Sequence, residues 1–164
     1  MENWEKAEKA GEPEPDGCLS LTEVEALARR VHATQTDKAG RPYTVHLAAV
    51  AEGVAARGGT DEQIAAAWLH DSVEDGVLSE SWLENAPLPR SVKDMVSAMT
   101  KRPGESPETY AARILAVPGA LLIKESDIAH NADPQRLAEL DTPTRDRLTA
   151  KYARMRRLLG LAAG

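Results

Sequence analysis

The chain has 164 residues, 28% of them charged and 42% hydrophobic, which suits one folded domain with its own core rather than a disordered segment. It holds no Phe and only 4% aromatics, so Ala, Leu and Val must fill the interior, and close helix packing is favoured over a β-sandwich. A formal net charge of −6 argues against a nucleic acid polymer as partner, because phosphate contacts require clustered Lys and Arg, but it leaves room for a small anion.

Residues 1–19 are charged and rich in Pro and Gly and read as a flexible lead-in to a domain over residues 20–164. No apolar stretch of signal-peptide type opens the chain, and none approaches membrane-spanning length. The single cysteine, Cys18, rules out an internal disulfide, so a soluble cytoplasmic protein with no membrane partner is expected. Ser20-Leu-Thr-Glu23 is a capping-box pattern and predicts a helix to about Thr36, with Leu21, Val24, Leu27, Ala28 and Val31 as its apolar stripe. Turn residues from Asp37 to Pro42 break it, and Thr44 is placed to cap a helix over 45–57 that ends at Gly58-Gly59. Thr60-Asp-Glu-Gln63 is a second capping box, and it begins a central helix expected to run to Asp75 and stop at Gly76.

Ser79–Asn85 reads as a short helical turn, and Ser91 starts a helix ending near Thr100. Ser106 followed by Pro107 is an N-cap with Pro at the first helical position, which predicts a helix over 107–116. A buried helix with a polar stripe follows over 120–131, and Thr142-Pro143 opens a last helix to about Gly160. No period-2 strand and no internal repeat is found, so the fold class is an all-α domain of seven or eight helices.

Chemistry concentrates at residues 64–75, where small apolar residues run up to Leu69 and His70, Asp71, Glu74 and Asp75 then arrive together. On a continuous helix His70 shares a face with Glu74, and Asp71 with Asp75. Such a group is either a polar helix end in water or a buried cluster that needs a cation, for which His and Asp are suitable ligands. His46 is one of four histidines and stands at the start of a helix, where it is either a structural hydrogen-bonder or points into a pocket. Lys124, Asp127 and Asn131 share one face of an otherwise apolar helix. Two readings of that stripe stand: an internal Lys124–Asp127 salt bridge, or Asp127 as a fourth ligand beside His46, His70 and Asp71, with Lys124 and Asn131 facing an anionic substrate. His32 and His130 read as structural, and the basic run Lys151–Arg157 as a solvated helix end or an anion-facing patch.

The order His46, His70-Asp71, Glu74-Asp75 and Lys124-x-x-Asp127-x-x-x-Asn131, with Pro42-Tyr43, Thr100-Lys101 and His32-x-x-Gln35, resembles the metal-dependent HD phosphohydrolase superfamily over roughly residues 24–159. The detail is similar to its RelA/SpoT-type branch, the hydrolases of the alarmone (p)ppGpp. That resemblance implies an HD-type helical bundle in which His46, His70, Asp71 and Asp127 hold one Mn²⁺. It implies that Glu74 and Asp75 orient and deprotonate the attacking water, and that Lys124, Asn131, Tyr152 and Arg147 line a nucleotide pocket. Its turn after the first helix usually supplies Arg and Lys; here Lys38 and Arg41 are the residues placed to stand in. Leu47 follows His46 where a Pro is usual, and Glu125-Ser126 replaces an apolar pair. The implied activity is removal of the 3′-pyrophosphate of (p)ppGpp by a short, stand-alone hydrolase. An HD-type nucleotidase or phosphatase for another small phosphorylated metabolite, or a non-catalytic nucleotide sensor, is the alternative.

Overall fold

The computed structural model describes residues 17–163, and all but the last three residues of the lead-in expected over residues 1–19 lie outside the described residues. Nine helices are present among the described residues, with no strand and one isolated bridge between Thr36 and Pro42. They are α1 (Leu21–Val31), α2 (Tyr43–Ala56), α3 (Asp61–Leu69), α4 (Glu80–Asn85), α5 (Arg90–Met99), α6 (Pro107–Ala116), α7 (Ala120–Asn131), α8 (Pro134–Leu137) and α9 (Thr142–Leu159). The all-α expectation holds, with one helix more than the sequence suggested. The addition is α8, a single turn capped by Asp133 with Pro134 at its first position.

Side-chain caps fix most helix starts. Ser20 Oγ accepts from the Glu23 N–H while the Glu23 carboxylate accepts from the Ser20 N–H, and Thr60 and Gln63 repeat that reciprocal arrangement. Ser79, Ser106 and Asp141 cap α4, α6 and α9. Two starts differ from expectation: α2 begins directly after Pro42 and α5 directly after Pro89, neither with a side-chain cap. A proline cannot donate to a preceding turn, so its fixed backbone can set the first helical residue without a capping hydroxyl.

The central helix is shorter than predicted. It ends at Leu69, with His70 as its C-cap, and residues 70–75 continue as turns up to Gly76, whose φ is +73°. Ser72 explains the stop, because both its N–H and its hydroxyl donate to the Leu69 carbonyl and so consume the acceptor that the next helical turn would use.

Every residue of α3 from Ala65 to Leu69 is buried, and α1, α2, α5 and α7 pack around it. Alanine makes that possible, since a helix without bulk on any face accepts neighbours on several sides. Close approach is tightest between α2 and α7. A Cβ at Gly53 would lie 2.1 Å from Ser126 Oγ, and that hydroxyl donates to the Val50 carbonyl one turn earlier on α2. Helices α6 and α9 pack on each other and flank α7 on its other side. Leu19 is buried and its N–H donates to the Pro87 carbonyl, so the packed structure begins just before Ser20. Among the described residues no helix is long and apolar enough to cross a membrane.

Candidate metal centre and cleft

Three helices converge on one buried point. His46 lies one turn into α2, His70 and Asp71 close α3, and Asp127 comes from the middle of α7; each offers one atom within 4.8 Å of the others. His46 Nε2 lies 3.0 Å from Asp127 Oδ1 and 3.7 Å from Asp71 Oδ2, and His70 Nε2 lies 3.0 Å from Asp71 Oδ2 and 3.4 Å from Asp127 Oδ1. The shortening of α3 serves this geometry, because as a C-cap His70 turns inward while Asp71 starts the turn that follows.

The surroundings orient each donor. His70 Nδ1 lies 2.6 Å from the Ala67 carbonyl, which can only accept, so the proton resides on Nδ1 and the Nε2 lone pair faces the carboxylates. His46 Nδ1 lies 2.7 Å from His130 Nδ1, and the two rings stack at 5.0 Å. The Tyr43 hydroxyl donates to Asp71 Oδ2. Burial, followed by the Asp71 charge, pushes the Tyr43 pKa far above its ordinary value, so the phenol stays protonated as that donor.

Lys124 donates to Asp127 Oδ2 at 2.9 Å and Asn131 to Asp127 Oδ1 at 3.0 Å. The salt bridge of the first reading forms on one carboxylate oxygen, and the other oxygen, which accepts from Asn131, faces the histidines, as the second reading needs of a ligand. Burial opposes ionisation of Asp127, but Lys124 and the two imidazoles override it and hold its pKa well below the usual carboxylate range.

A divalent cation fits this donor set. His70 Nε2 is buried without a hydrogen-bond partner, and an unprotonated nitrogen facing two carboxylate oxygens is repulsive unless positive charge lies between them. A proton is the other possible source of that charge. Burial lowers the His70 pKa, yet Asp71 and Asp127 outweigh burial and raise it well above the ordinary value. Two imidazoles with two carboxylates suit a borderline transition metal, and the carbonyl behind His70 is the outer partner such ligands require.

The centre opens into a cleft of about 550 Å³. Lys38, Lys124, Asn131 and Tyr152, all expected at a substrate pocket, line it, as does Glu74. Arg41 and Arg147 are not among its lining residues; Arg41 instead pairs with Glu139. Asp75 does not line it either, since its carboxylate accepts from Gln35 Nε2 at 2.9 Å. Glu74 is held on one side only, by the Lys101 N–H at 2.7 Å on Oε1, and burial raises its pKa.

Further cleft residues were not assigned to the pocket by the sequence reading, although Tyr43 and Lys101 lie in segments that carried the resemblance and Lys151 in the basic run read as a helix end or an anion-facing patch. Lys101, Lys151, Arg136, Tyr43 and Tyr110 all line the wall. Lys151 belongs to the basic run of α9, and here it faces the site: burial first, then Lys124, Lys101 and Lys38, lower its pKa. Arg136 pairs with Asp37 at 3.3 Å. Burial, together with Arg136 and His46, lowers the His130 pKa to about 4, so that ring is a neutral partner to His46. Tyr43 and Lys101 were marked by the segments that carry the resemblance and Lys151 by the basic run, whereas Tyr110 and Arg136 carried no signal in the sequence.

A family model described as "HD domain" matches residues 25–115, a span that includes His46, His70 and Asp71. The chain is 33% identical over 103 residues to a Synechocystis protein named as a probable guanosine-3′,5′-bis(diphosphate) 3′-pyrophosphohydrolase, covering 62% of this chain and 13% of that protein. It is 31% identical over 125 residues to the Aquifex aeolicus guanosine-3′,5′-bis(diphosphate) 3′-pyrophosphohydrolase, covering 71% of this chain and 18% of that one. The chain thus spans less than a fifth of the length of these curated relatives.

Proposed function

The chain belongs to the HD-domain family, and from that premise we propose that it is a metal-dependent phosphohydrolase that removes the 3′-pyrophosphate of (p)ppGpp in the cytoplasm. The observation that carries this reading is the convergence of His46, His70, Asp71 and Asp127 at the floor of a cleft lined by Lys38, Lys101, Lys124 and Lys151. Two relatives named as hydrolases of that alarmone support the substrate.

His46, His70, Asp71 and Asp127 would hold the cation, for which we propose Mn²⁺. When bound it would supply Lewis-acid polarisation of a phosphoryl oxygen and lower the pKa of water. Glu74 takes the proton: it faces the cleft with one oxygen anchored and the other available, and burial moves its pKa toward neutrality, where a general base works best. Asp75 orients the turn that carries Glu74. Water oxygen bonds to the phosphorus attached at the ribose 3′ oxygen, that P–O bond breaks, the ribose 3′ oxygen takes up a proton from solvent to become a hydroxyl, and pyrophosphate leaves. Lys124 is already tied to Asp127, so it presents a fixed charge to the phosphates, and Lys101 and Lys151 extend that charge along the cleft. Leu137, Leu148, Met155 and Tyr152 make the remaining wall apolar enough to receive a base.

A second reading is favoured by one observation. Arg41 is engaged by Glu139 rather than lining the cleft, which leaves Lys38 as the lining cation of the turn after α1. A nucleotidase or phosphatase for another small phosphorylated metabolite fits that weaker contact with a base. Purified protein with added Mn²⁺ should be tested against ppGpp, GTP, NADPH and simple nucleotides. Pyrophosphate release from ppGpp alone supports the first reading, turnover of the others the second, and binding without turnover overturns both in favour of a sensor.

A further inference from the structure

Asp75 is held by a chain of groups that runs back to α1. Gln35, in the turn after α1, donates through Nε2 to Asp75 Oδ2 at 2.9 Å, across forty residues of sequence. A carboxylate only accepts, so the amide nitrogen must be the atom facing it, and Oε1 must face the other way. There it meets His32 Nδ1 at 2.8 Å. That contact requires the proton on Nδ1, and Nε2 of the buried His32 has no hydrogen-bond partner. The orientation is thus fixed from both ends: rotating the amide by half a turn would set oxygen against carboxylate and NH₂ against N–H.

The same part of the chain grips Asp71. The His32 ring stacks on Tyr43 at 5.5 Å, and the Tyr43 hydroxyl donates to Asp71 Oδ2. The Tyr43 N–H also donates to the Gln35 carbonyl at 2.9 Å, so Gln35 and Tyr43 are locked together. Residues 70–75 are no longer helical, and the Asp75 N–H to Asp71 carbonyl bond is a lone remnant of helical pairing after Ser72. Turn bonds from the Gly76 N–H to the Val73 carbonyl and from the Val77 and Leu78 N–H groups to the Ser72 carbonyl close the segment on itself, and the grips on Asp71 and Asp75 from outside tie that closed turn to α1 and α2. With Asp75 drawn to Gln35 and away from the cleft, its neighbour Glu74 is left facing in.

We propose that Gln35, oriented by His32, is a positioning residue for the proposed hydrolysis, acting through Asp75 to hold the 72–75 turn so that Glu74 faces the cleft. The proposal rests on the hydrolase reading for its effect on rate, but the clamp itself does not. Two measurements on the full chain test it. In the first, kcat and KM of Mn²⁺-loaded Gln35→Ala, Asp75→Asn and the double variant are compared. Gln35→Ala should lower kcat on the order of 10²-fold, the scale of a misplaced reacting group, with KM and Mn²⁺ affinity within about twofold of wild type. The double variant should be no slower than Asp75→Asn alone, because a residue that acts only through Asp75 has nothing left to position. Losses that multiply, or wild-type kcat in either single variant, overturn the proposal.

In the second, amide hydrogen exchange is followed in metal-free protein without substrate. Gln35→Ala and Asp75→Asn should each speed exchange at residues 75–78 and leave α3 and α5 unchanged. Unchanged exchange in that segment overturns the clamp even where turnover falls. Absence of turnover in wild type defeats the hydrolase reading alone, and the exchange result still decides whether the clamp exists.

Discussion

Glu74 can serve as a base only while it is ionised, and burial has raised its pKa above that of an ordinary glutamate. Activity is therefore retained above that raised value and lost as pH falls through it, so the acid limb of kcat/KM should lie at higher pH than an exposed glutamate would give. Glu74→Gln keeps an acceptor for the Lys101 N–H but cannot take a proton. It should retain Mn²⁺ and lose roughly 10²–10⁴-fold in rate; turnover at the wild-type level in that variant would remove Glu74 from the role. Asp71 is a different kind of position, since its carboxylate is both a candidate ligand and the acceptor of the Tyr43 hydroxyl. Asp71→Ala should abolish metal binding and turnover together, and stoichiometric Mn²⁺ in the variant, measured by calorimetry, would show that the ligand set is wrong. These carboxylates were legible in the sequence because they are consecutive or helically spaced, and because such groups after an apolar run demand a partner. His130 was not: its contact with His46 spans 84 residues, and an imidazole that bonds another imidazole leaves no spacing to read.

At the scale of helices, the position of the site follows from how closely α2 and α7 approach. The Gly53 Cα faces Ser126, next to Asp127, and the Ser126 hydroxyl is pinned to the Val50 carbonyl. A methyl group there would displace Ser126 or break its bond, and either change moves Asp127 relative to His46. Gly53→Ala should destabilise the fold by about 1–3 kcal/mol, the usual range for overpacking. It should also weaken Mn²⁺ binding in the population that remains folded, because two of the donors ride on these two helices. Adding Ser126→Ala, which removes the clashing hydroxyl without placing a glycine inside α7, should recover part of both losses, and melting curves with metal titrations on the pair would check it; recovery of stability without any recovery of affinity would show that the α2–α7 spacing does not set the site. The helix starts capped by Ser20, Thr60, Ser79 and Ser106 could be read from sequence, since the cap chemistry is local, whereas α2 and α5 start after Pro42 and Pro89 and not at the expected Thr44 and Ser91. The end of α3 could not, because it depends on Ser72 bonding back to Leu69 rather than facing solvent. The α8 turn carried its Asp133-Pro134 signal, but four residues give too little periodicity to stand out.

For the whole molecule, Lys124 already supplies one positive charge to the buried centre through Asp127, and two sources compete for the further charge that Asp71 and the inward-facing Asp127 oxygen call for. A proton on His70 is one, since the neighbouring aspartates raise that group's pKa well above its ordinary value. A divalent cation is the other, and it also fills the coordination that a proton leaves unmet. The metal-free chain should therefore stay folded, with its four donors converging as described, but be less stable than the loaded one. A ligand that binds only the folded state stabilises it by about 2.7 kcal/mol at a hundredfold excess over Kd. For a chain of this size each kcal/mol is worth roughly 2–4 °C in Tm, so chelation should lower Tm by roughly 5–10 °C. Restoring Mn²⁺ should recover it, whereas Asp71→Ala should melt at one temperature with or without the ion. Because Asp127, Asp71 and the two histidines come from three helices that together surround the core, the loss should appear as a shift of one cooperative transition rather than as a separate early step. A Tm indifferent to chelation and to added Mn²⁺ in the wild-type chain would mean that the proton on His70, with Lys124 on Asp127, supplies the charge without a metal.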